Sequence, residues 1–410
     1  MKVYLVGGAV RDSVLGIDAT DRDWVVVGGT PEEMLTNGYQ QVGKNFPVFL
    51  HPGSKEEYAL ARTERKSGAG YTGFSTQFST DVTLNEDLAR RDLSINAMAQ
   101  DEAGNILDPF DGLGDIKNKL LRHVTPAFVE DPLRVLRVAR FKARFFHLGF
   151  KVADETNTLM QEIVSSGELQ HLTAERVWVE TQKALLEPSP EQFFYALNDC
   201  HALEVVFPEV FRLFGVPQRA EHHPEVDTGI HTMMVLSHAA KMDFSAEVRF
   251  AALVHDLGKA DTAADVLPRH IGHEKKSVKR VKEMCARIGV PKSYEQLALI
   301  VAEFHTQCHQ ILALKPATVL KLMERIDAFR RPDRLQAFVM ACEADAKGRK
   351  GFENCEYPQA EYLNEAYRLA CAVNASQIVT NGFKGAEIGA QLKQRRIQVI
   401  KEFKSISFLK

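Results

Sequence analysis

Residues 3–16, VYLVGGAVRDSVLG, and residues 21–27, DRDWVVV, decide how the chain begins. Val3 to Val6 has the β-branched and aromatic character of a strand, and Gly7 and Gly8 stand where that strand gives way to a helix starting near Ala9. Backbone N–H groups are bare at a helix start. Gly8 and the first helical turn therefore offer a seat for a triphosphate, and Arg11, one turn in, can add charge-assisted hydrogen bonds. The glycine pair also fits an ordinary tight turn, and it is not part of a Walker GxxxxGK[ST] motif. In DRDWVVV, Asp21 and Asp23 are two residues apart before an apolar run, and strand geometry points both to one side. Two carboxylates on one face suit hard Mg2+ ions, which take carboxylate and phosphate oxygens and can clamp the attacking and leaving oxygens of a displacement. A solvated strand end is the plainer alternative.

Moving outward, Trp24 to Val27, Val48 to Leu50 and Tyr58 to Arg62 read as further strands, so the chain opens with an α/β domain. Between Glu64 and Phe78 the run ERKSGAGYTGFSTQF is too rich in Gly and Ser for a regular element and is expected to be a mobile loop. From about Asp115 onward alternation fades into helical periodicity, giving an α+β chain whose remainder is nearly all helix. Proline-bearing breaks at 185–192 and 216–229 are the best boundaries. The expected divisions are a head at 1–114, a helical neck and body at 115–227, a third domain at 228–330 and a helical C-terminal region at 331–410.

The 410 residues, 45% hydrophobic, allow two to four globular domains, and no run of eighteen apolar residues or signal-like start is present. No membrane association is expected. Cys200, Cys285, Cys308, Cys342, Cys355 and Cys371 are scattered without a CxxC pair, which fits reduced thiols in the cytoplasm. A formal charge of −3 argues against indiscriminate polyanion binding, so any RNA contact must come from local clusters: Arg134 to Arg144, Lys275 to Lys282 and the tail from Lys393. Solvated helix faces would account for the same runs.

Two further segments carry chemistry. RRDLSINA (90–97) supplies Arg91 and Asp92, with Asn96 four residues on and so on one helix face with Asp92; a buried capping network is the alternative to a ligand contact. EDPLRVLRVARF (130–141) reads as a helix opening on Pro132 with Asp131 as its N-cap, and Arg134, Arg137 and Arg140 recur every three residues as a drifting basic stripe.

GGAVRD with DRDW, then RRDLSINA, then EDPLRVLRVARF resemble, in order and over about 140 residues, the class II tRNA nucleotidyltransferase and bacterial poly(A) polymerase family. The resemblance implies a polymerase-β-like head in which Asp21 and Asp23 hold catalytic Mg2+. A third carboxylate on a neighbouring strand is usual in the wider superfamily, and Glu57 is the candidate. It also implies nucleotide binding by Gly8, Arg11 and Arg91, with recognition of the ribose 2′-hydroxyl near the RRD segment. Asp131 and Arg134 would act as a protein template for the base. C and A both present an exocyclic amino donor where U has a carbonyl, so a carboxylate can select them, while a guanidinium donates to ring or carbonyl acceptors. Arg137 and Arg140 would face phosphates or the primer.

His231 in HTMMVL is followed by His255-Asp256 in ALVHDLGK, with His270, His273, His305 and His309 beyond. This resembles an HD-type metal phosphohydrolase domain over 228–330, with His231, His255 and Asp256 as ligands and His255 and Asp256 as catalytic residues. Adjacent helical residues diverge by about 100°, so one metal could meet both only in the wedge between them. Imidazole with carboxylate suits a divalent transition ion such as Ni2+, Mn2+ or Co2+ better than Mg2+, and the expected reaction is hydrolysis of a 2′,3′-cyclic or terminal phosphate ester.

The combined expectation is a CCA-adding enzyme that uses CTP and ATP on the 3′ end of tRNA, gripping the acceptor arm through A-form shape, phosphates and 2′-hydroxyls. A poly(A) polymerase shares the head motifs but typically has a strongly basic C-terminal region, which the net charge disfavours. A nucleotide sensor with a degenerate head is disfavoured by the intact Asp21 and Asp23. An HD phosphohydrolase whose head only binds RNA would be separated by nucleotide incorporation. Monomer and homodimer are equally open.

Overall fold

The computed structural model describes residues 1–19, 21–42, 48–66 and 74–407, in two compact units, Met1–Val206 and Phe207–Lys410.

The first unit is built on a mixed sheet. Its strands are β1 (Lys2–Val6), β2 (Asp23–Val27), β3 (Gln40–Val42), β4 (Val48–Leu50), β5 (Glu57–Leu60), β8 (Ala99–Gln100) and β9 (Ile106–Leu107), in the order β3-β4-β5-β2-β1-β8-β9. Alternation along β2 sends Val25 into one core cluster, with Val6, Leu88 and Ala97, and Val26 into another, with Met34, Phe49 and Leu60. Asp23 lies on the Val25 side. Antiparallel pairing sets Asp23 against Val6, next to the glycine turn, and parallel pairing sets it against Glu57. Helices α1 (Gly8–Val14), α2 (Pro31–Thr36), α3 (Leu84–Ala89) and α4 (Gly112–Asn118) complete the head. After it come α5 (Leu133–Phe145), α6 (Asp154–Ser165), α7 (Ala174–Leu186), α8 (Glu191–Asp199) and α9 (Ala202–Val206).

The stretch expected to be a loop is different. β6 (Arg62–Lys66) and β7 (Phe74–Phe78) pair antiparallel from Arg62 opposite Phe78 to Lys66 opposite Phe74. Gly68, Gly70 and Gly73, which argued against regular structure, all fall between these strands, in residues 67–73 outside the described residues. The expected strand Tyr58 to Arg62 breaks at Ala61, where the chain leaves the large sheet for this hairpin. Past Asp115 the unit also keeps a short parallel pair, β10 (Leu120–Leu121) with β11 (Lys151–Val152).

The second unit is helical: α10 (Pro208–Phe211), α11 (Thr228–Lys241), α12 (Ala246–Val254), α13 (His273–Ile288), α14 (Lys292–His309), α15 (Pro316–Arg325), α16 (Pro332–Lys347), α17 (Pro358–Ala372), α18 (Ala375–Thr380) and α19 (Ala386–Ser407). Val235, Ala239, Ala252 and Ala344 form a seam of small buried residues among α11, α12 and α16. Small side chains let helix axes approach closely, and this seam brings His231, His255 and Asp345 together. No described helix is long and apolar enough to cross a membrane.

Candidate functional site

In the first unit one cavity of about 680 Å3 gathers every head and neck residue picked from the sequence: Gly8, Arg11, Asp21, Asp23, Glu57, Arg91, Asp131, Arg134, Arg137 and Arg140. Its lining carries ten Arg and Lys side chains against six Asp and Glu, an excess of positive charge suited to a triphosphate. Gly7 has φ 69°, and a Cβ there would stand 2.7 Å from the Arg91 guanidinium, so only glycine lets that arginine lie against the turn. Arg11 donates from Nε to Asp12 at 2.8 Å and from Nη1 to Asn96, and packs over Phe145 at 5.0 Å. Partial desolvation raises the Asp23 carboxyl although it opens onto the cavity; Arg91 opposes that rise and Asp21 adds to it. Carboxylates crowded in this way, with Glu57 in register beside them, fit a divalent cation.

Asp92 and Asn96 do meet, Asn96 Nδ2 donating to Asp92 Oδ1 at 3.0 Å, but across a 3-10 turn (Ser94–Asn96) and not along an α-helix. Burial alone would raise the Asp92 carboxyl; Arg137, whose Nε donates to it at 2.7 Å, and Asn96 hold it well below the usual range. The basic stripe of α5 is no solvated face. Arg134 is buried and donates to the carbonyls of Ala127 at 3.0 Å and Arg90 at 2.6 Å. Arg140 is buried against Glu180 at 2.7 Å and Glu187 at 3.4 Å. Removing one partner of such a buried pair costs roughly 3–5 kcal/mol, so these guanidinium groups are fixed in place. Asp131 precedes α5 in extended backbone; its Oδ1 accepts the Leu133 N–H at 3.1 Å, and both its oxygens lie 3.2 Å from Arg176. The N-cap position itself falls to Pro132, so Asp131 stands one residue before it, accepts the first helical N–H and still lines the cavity. Arg176 and Glu180, four residues apart on α7, were not picked out from the sequence. The only signal was an acid at a position of the helix that turns out to be 3% exposed.

In the second unit a histidine and carboxylate cluster lines a cavity of about 510 Å3. The α12 helix ends at Val254, and Asp256 (φ −108°, ψ 12°) is off-helix, so His255 and Asp256 need not diverge by a helical step. Gly258 follows because a Cβ there would lie 2.3 Å from backbone atoms of α13; its absence brings His273 in. His255, His273 and His305 each place Nδ1 at 2.8, 2.7 and 3.0 Å from the carbonyls of Ala252, His270 and Val301. A carbonyl only accepts, so these nitrogens carry the proton and each Nε2 faces the cluster.

Nε2 of His231 lies 3.0 Å from Asp345 Oδ1, and Nε2 of His255 lies 3.0 Å from Asp256 Oδ2 and 3.6 Å from Asp345 Oδ2. His273 Nε2 and His305 Nε2 lie 3.2 and 3.5 Å from Asp256 Oδ1. His255 Nε2 and Asp256 Oδ1 are nevertheless buried without hydrogen-bond geometry, as atoms aimed at a shared ion are. Burial would lower His255, but Asp256 and Asp345 raise it to about 10, a field that favours a cation at Nε2. Burial lowers His305 to about 3, which leaves its lone pair free to ligate. Ligand atoms of His231, His255 and Asp256, of His255, His305 and Asp345, and of Asp256, His273 and His305 fall within 4.8 Å of one another.

Asp345 is the residue the sequence did not disclose. It lies 89 positions beyond Asp256, with no motif around it, and its one signal is an acid among the buried small residues Ala341, Cys342 and Ala344 of α16.

Residues 3–122 match the family described as Poly A polymerase head domain, 149–213 the one described as probable RNA and SrmB-binding site of polymerase A, and 228–330 the HD domain. The chain is 57% identical over 405 residues to the multifunctional CCA protein of Thioalkalivibrio sulfidiphilus (strain HL-EbGR7), covering 99% of each. Its fold is similar to an apo CCA-adding enzyme (TM-score 0.65, 20% identity, 99% of this chain and 92% of that one). It is also similar to the Thermotoga maritima CCA-adding enzyme complexed with tRNA (TM-score 0.63, 20% identity, 98% and 90%).

Proposed function

The chain belongs to the multifunctional CCA protein family, and from that premise we propose how its residues divide the work between two sites. The protein is a CCA-adding tRNA nucleotidyltransferase that carries an HD domain. The observation that carries the residue assignments is the single cavity in which the Asp21, Asp23 and Glu57 carboxylates meet the arginines of α1, α5 and the RRD turn.

In the head, Asp21 and Asp23, with Glu57 alongside, hold divalent ions, Mg2+ by the hardness of the oxygen donors. When bound, such ions neutralise the triphosphate and the oxygen that attacks it. The first turn of α1 at Gly8, with Arg11 and Arg91, receives the phosphates of CTP or ATP. Asp131 accepts from the exocyclic amino group of the base, and Arg134, clamped by two carbonyls, donates from a fixed position. Arg137, the more open of the next two, faces phosphate or primer. Arg140, taken up by Glu180 and Glu187, acts on the wall of the cavity by positioning. The tRNA is gripped by its acceptor arm, and tRNA processing by this family accords with work in the cytoplasm.

In the HD domain, His231, His255, Asp256 and Asp345 hold a transition ion, and His273 with His305 offer a second set that shares Asp256. When bound, such an ion supplies Lewis acidity and an acidified water. Lys259, whose Nζ lies 2.7 Å from Asp256 and 2.6 Å from Gln218, brings a positive charge to the phosphate ester.

The test is incubation of purified protein with tRNA lacking its 3′ CCA and each labelled nucleotide in turn. Two C and then one A are added; runs of A without CTP would mean a poly(A) polymerase, and no incorporation would leave only an RNA-binding head. Base choice is checked with Asp131→Asn. Asn still accepts the Leu133 N–H, so the helix start survives, but its amide can also donate to the U carbonyl. The CTP-over-UTP ratio of kcat/KM falls about tenfold, equivalent to about 1.4 kcal/mol. An unchanged ratio in folded protein leaves Asp131 only the structural role of accepting the Leu133 N–H and pairing with Arg176.

A further inference from the structure

A side cavity of about 380 Å3 opens off the histidine and carboxylate cluster, and His223, Lys259, His273 and Thr306 line both. Its outer wall carries Arg219 and Arg269, both exposed, neither with a carboxylate within ion-pair distance among the described residues. Other arginines nearby are engaged: Arg212 and Arg280 pair with Asp261, Arg287 pairs with Glu209, and Arg349 donates to the carbonyls of Ala346 and His222.

The backbone segments that carry the two arginines are tied together, although they come from separate loops. His270 joins those loops. Its Nε2 lies 3.1 Å from the Pro217 carbonyl and so carries the proton, while Nδ1 accepts from the Thr262 hydroxyl at 2.7 Å. Gln218, beside Arg219, accepts from Lys259 at 2.6 Å and donates its backbone N–H to Val226 at 2.6 Å. Arg269 donates its own N–H to the Val266 carbonyl at 3.0 Å. Ile271, 73% exposed, and Pro268 are apolar residues on the same wall. Two guanidinium groups without an ion pair, on a cavity that shares lining residues with the phosphoester centre, match a nucleotide unit with its own phosphate; Glu274, which also lines the cavity, lies 3.8 Å from His273.

We propose that this side cavity is a subsite for the phosphodiester next to the reacting phosphate, so that the HD centre is built for the end of an RNA chain and not for a lone nucleotide. The proposal rests on the reading of the HD domain as a phosphohydrolase. Arg219 and Arg269 set chain-length preference, and Lys259 serves the reacting phosphate itself.

The experiment compares three substrates on the full chain with Mn2+ or Ni2+ added: a nucleoside 2′,3′-cyclic phosphate, the same compound with a 5′-phosphate, and a dinucleotide ending in a 2′,3′-cyclic phosphate. The dinucleotide is hydrolysed best. Arg219→Gln and Arg269→Gln each lower its kcat/KM, through KM, by about tenfold, equivalent to about 1.4 kcal/mol. Arg269→Lys keeps part of the preference. The 5′-phosphorylated mononucleotide shows whether a free phosphate can fill the subsite; if it equals the dinucleotide, the chain-end reading is overturned in favour of a terminal phosphate. Equal losses on the one-phosphate and two-phosphate substrates, or a parent protein without dinucleotide preference, also overturn it. A second arm measures, with chelator present, the binding of a dinucleotide bearing a 3′-phosphate. Binding that both Gln variants leave unchanged sinks the subsite, whereas absence of hydrolysis with all three substrates sinks the phosphohydrolase reading and leaves this arm to decide the subsite.

Discussion

Asp23→Ala protein adds neither C nor A to tRNA lacking its 3′ end, with kcat/KM at least about 10^3-fold below the parent's, a loss of about 4 kcal/mol. The side chain stands at the rim of β2, beside the glycine turn through its pairing with Val6 and beside Glu57 through its pairing across β5. Its removal therefore leaves the sheet, the Val25 core and the arginine wall intact, while the oxygen donors for the divalent ions drop below what two ions need. Asp23→Asn separates charge from shape, since it keeps the volume and loses the anion, and it is as inactive as Asp23→Ala. Hydrolysis by the HD domain stays at the parent level in both proteins, which separates the two sites, and a thermal unfolding profile like the parent's shows that the head itself is folded. Incorporation within tenfold of the parent by either variant sinks the assignment of Asp23 as a metal ligand.

What the sequence disclosed and what it withheld follow from range. GGAVRD and DRDW are local: the glycine turn and the strand that follows DRD were legible within 25 residues, but β2 begins at Asp23, so Asp21 lies just before the strand and reaches the cavity from the preceding segment, not through the strand alternation expected of the pair. The α5 stripe was legible as arginines on a helix, yet its burial was not. Whether a basic stripe faces water depends on Asp92 and Glu180, which approach it from 45 and 40 residues away. The hairpin of β6 and β7 was missed because strand formation depends on a partner more than on composition, and the glycines that suggested a loop belong to the segment between the strands. Asp345 was missed for the same reason at longer range: a single acid on a helical face acquires meaning only when the small-residue seam of Ala239, Ala252 and Ala344 packs it against His231.

Asp345 therefore yields the sharpest test of the second site. Asp345→Asn and Asp256→Asn each lower phosphoester hydrolysis at least about 10^3-fold, a loss of about 4 kcal/mol. CMP addition to tRNA stays within twofold of the parent. The conservative amide is the right substitution because Asp345 takes contacts from His231 at 3.0 Å and His309 at 2.7 Å, and Tyr357 lies 3.0 Å behind His309. Alanine would open a hole under three rings. Asn keeps an acceptor oxygen but removes the charge that, with Asp256, raises His255 to about 10. Losing a carboxylate donor and its field weakens any cation at His255 Nε2, so titration of the chelator-treated protein with Mn2+, Co2+ and Ni2+ shows at least about tenfold weaker binding in each variant. Activity restored by Mg2+ as well as by these ions would contradict the imidazole-rich donor set, which favours softer metals. Hydrolysis retained in both variants would remove Asp256 and Asp345 from the site altogether, because no other carboxylate of the described cluster reaches both His255 and His231.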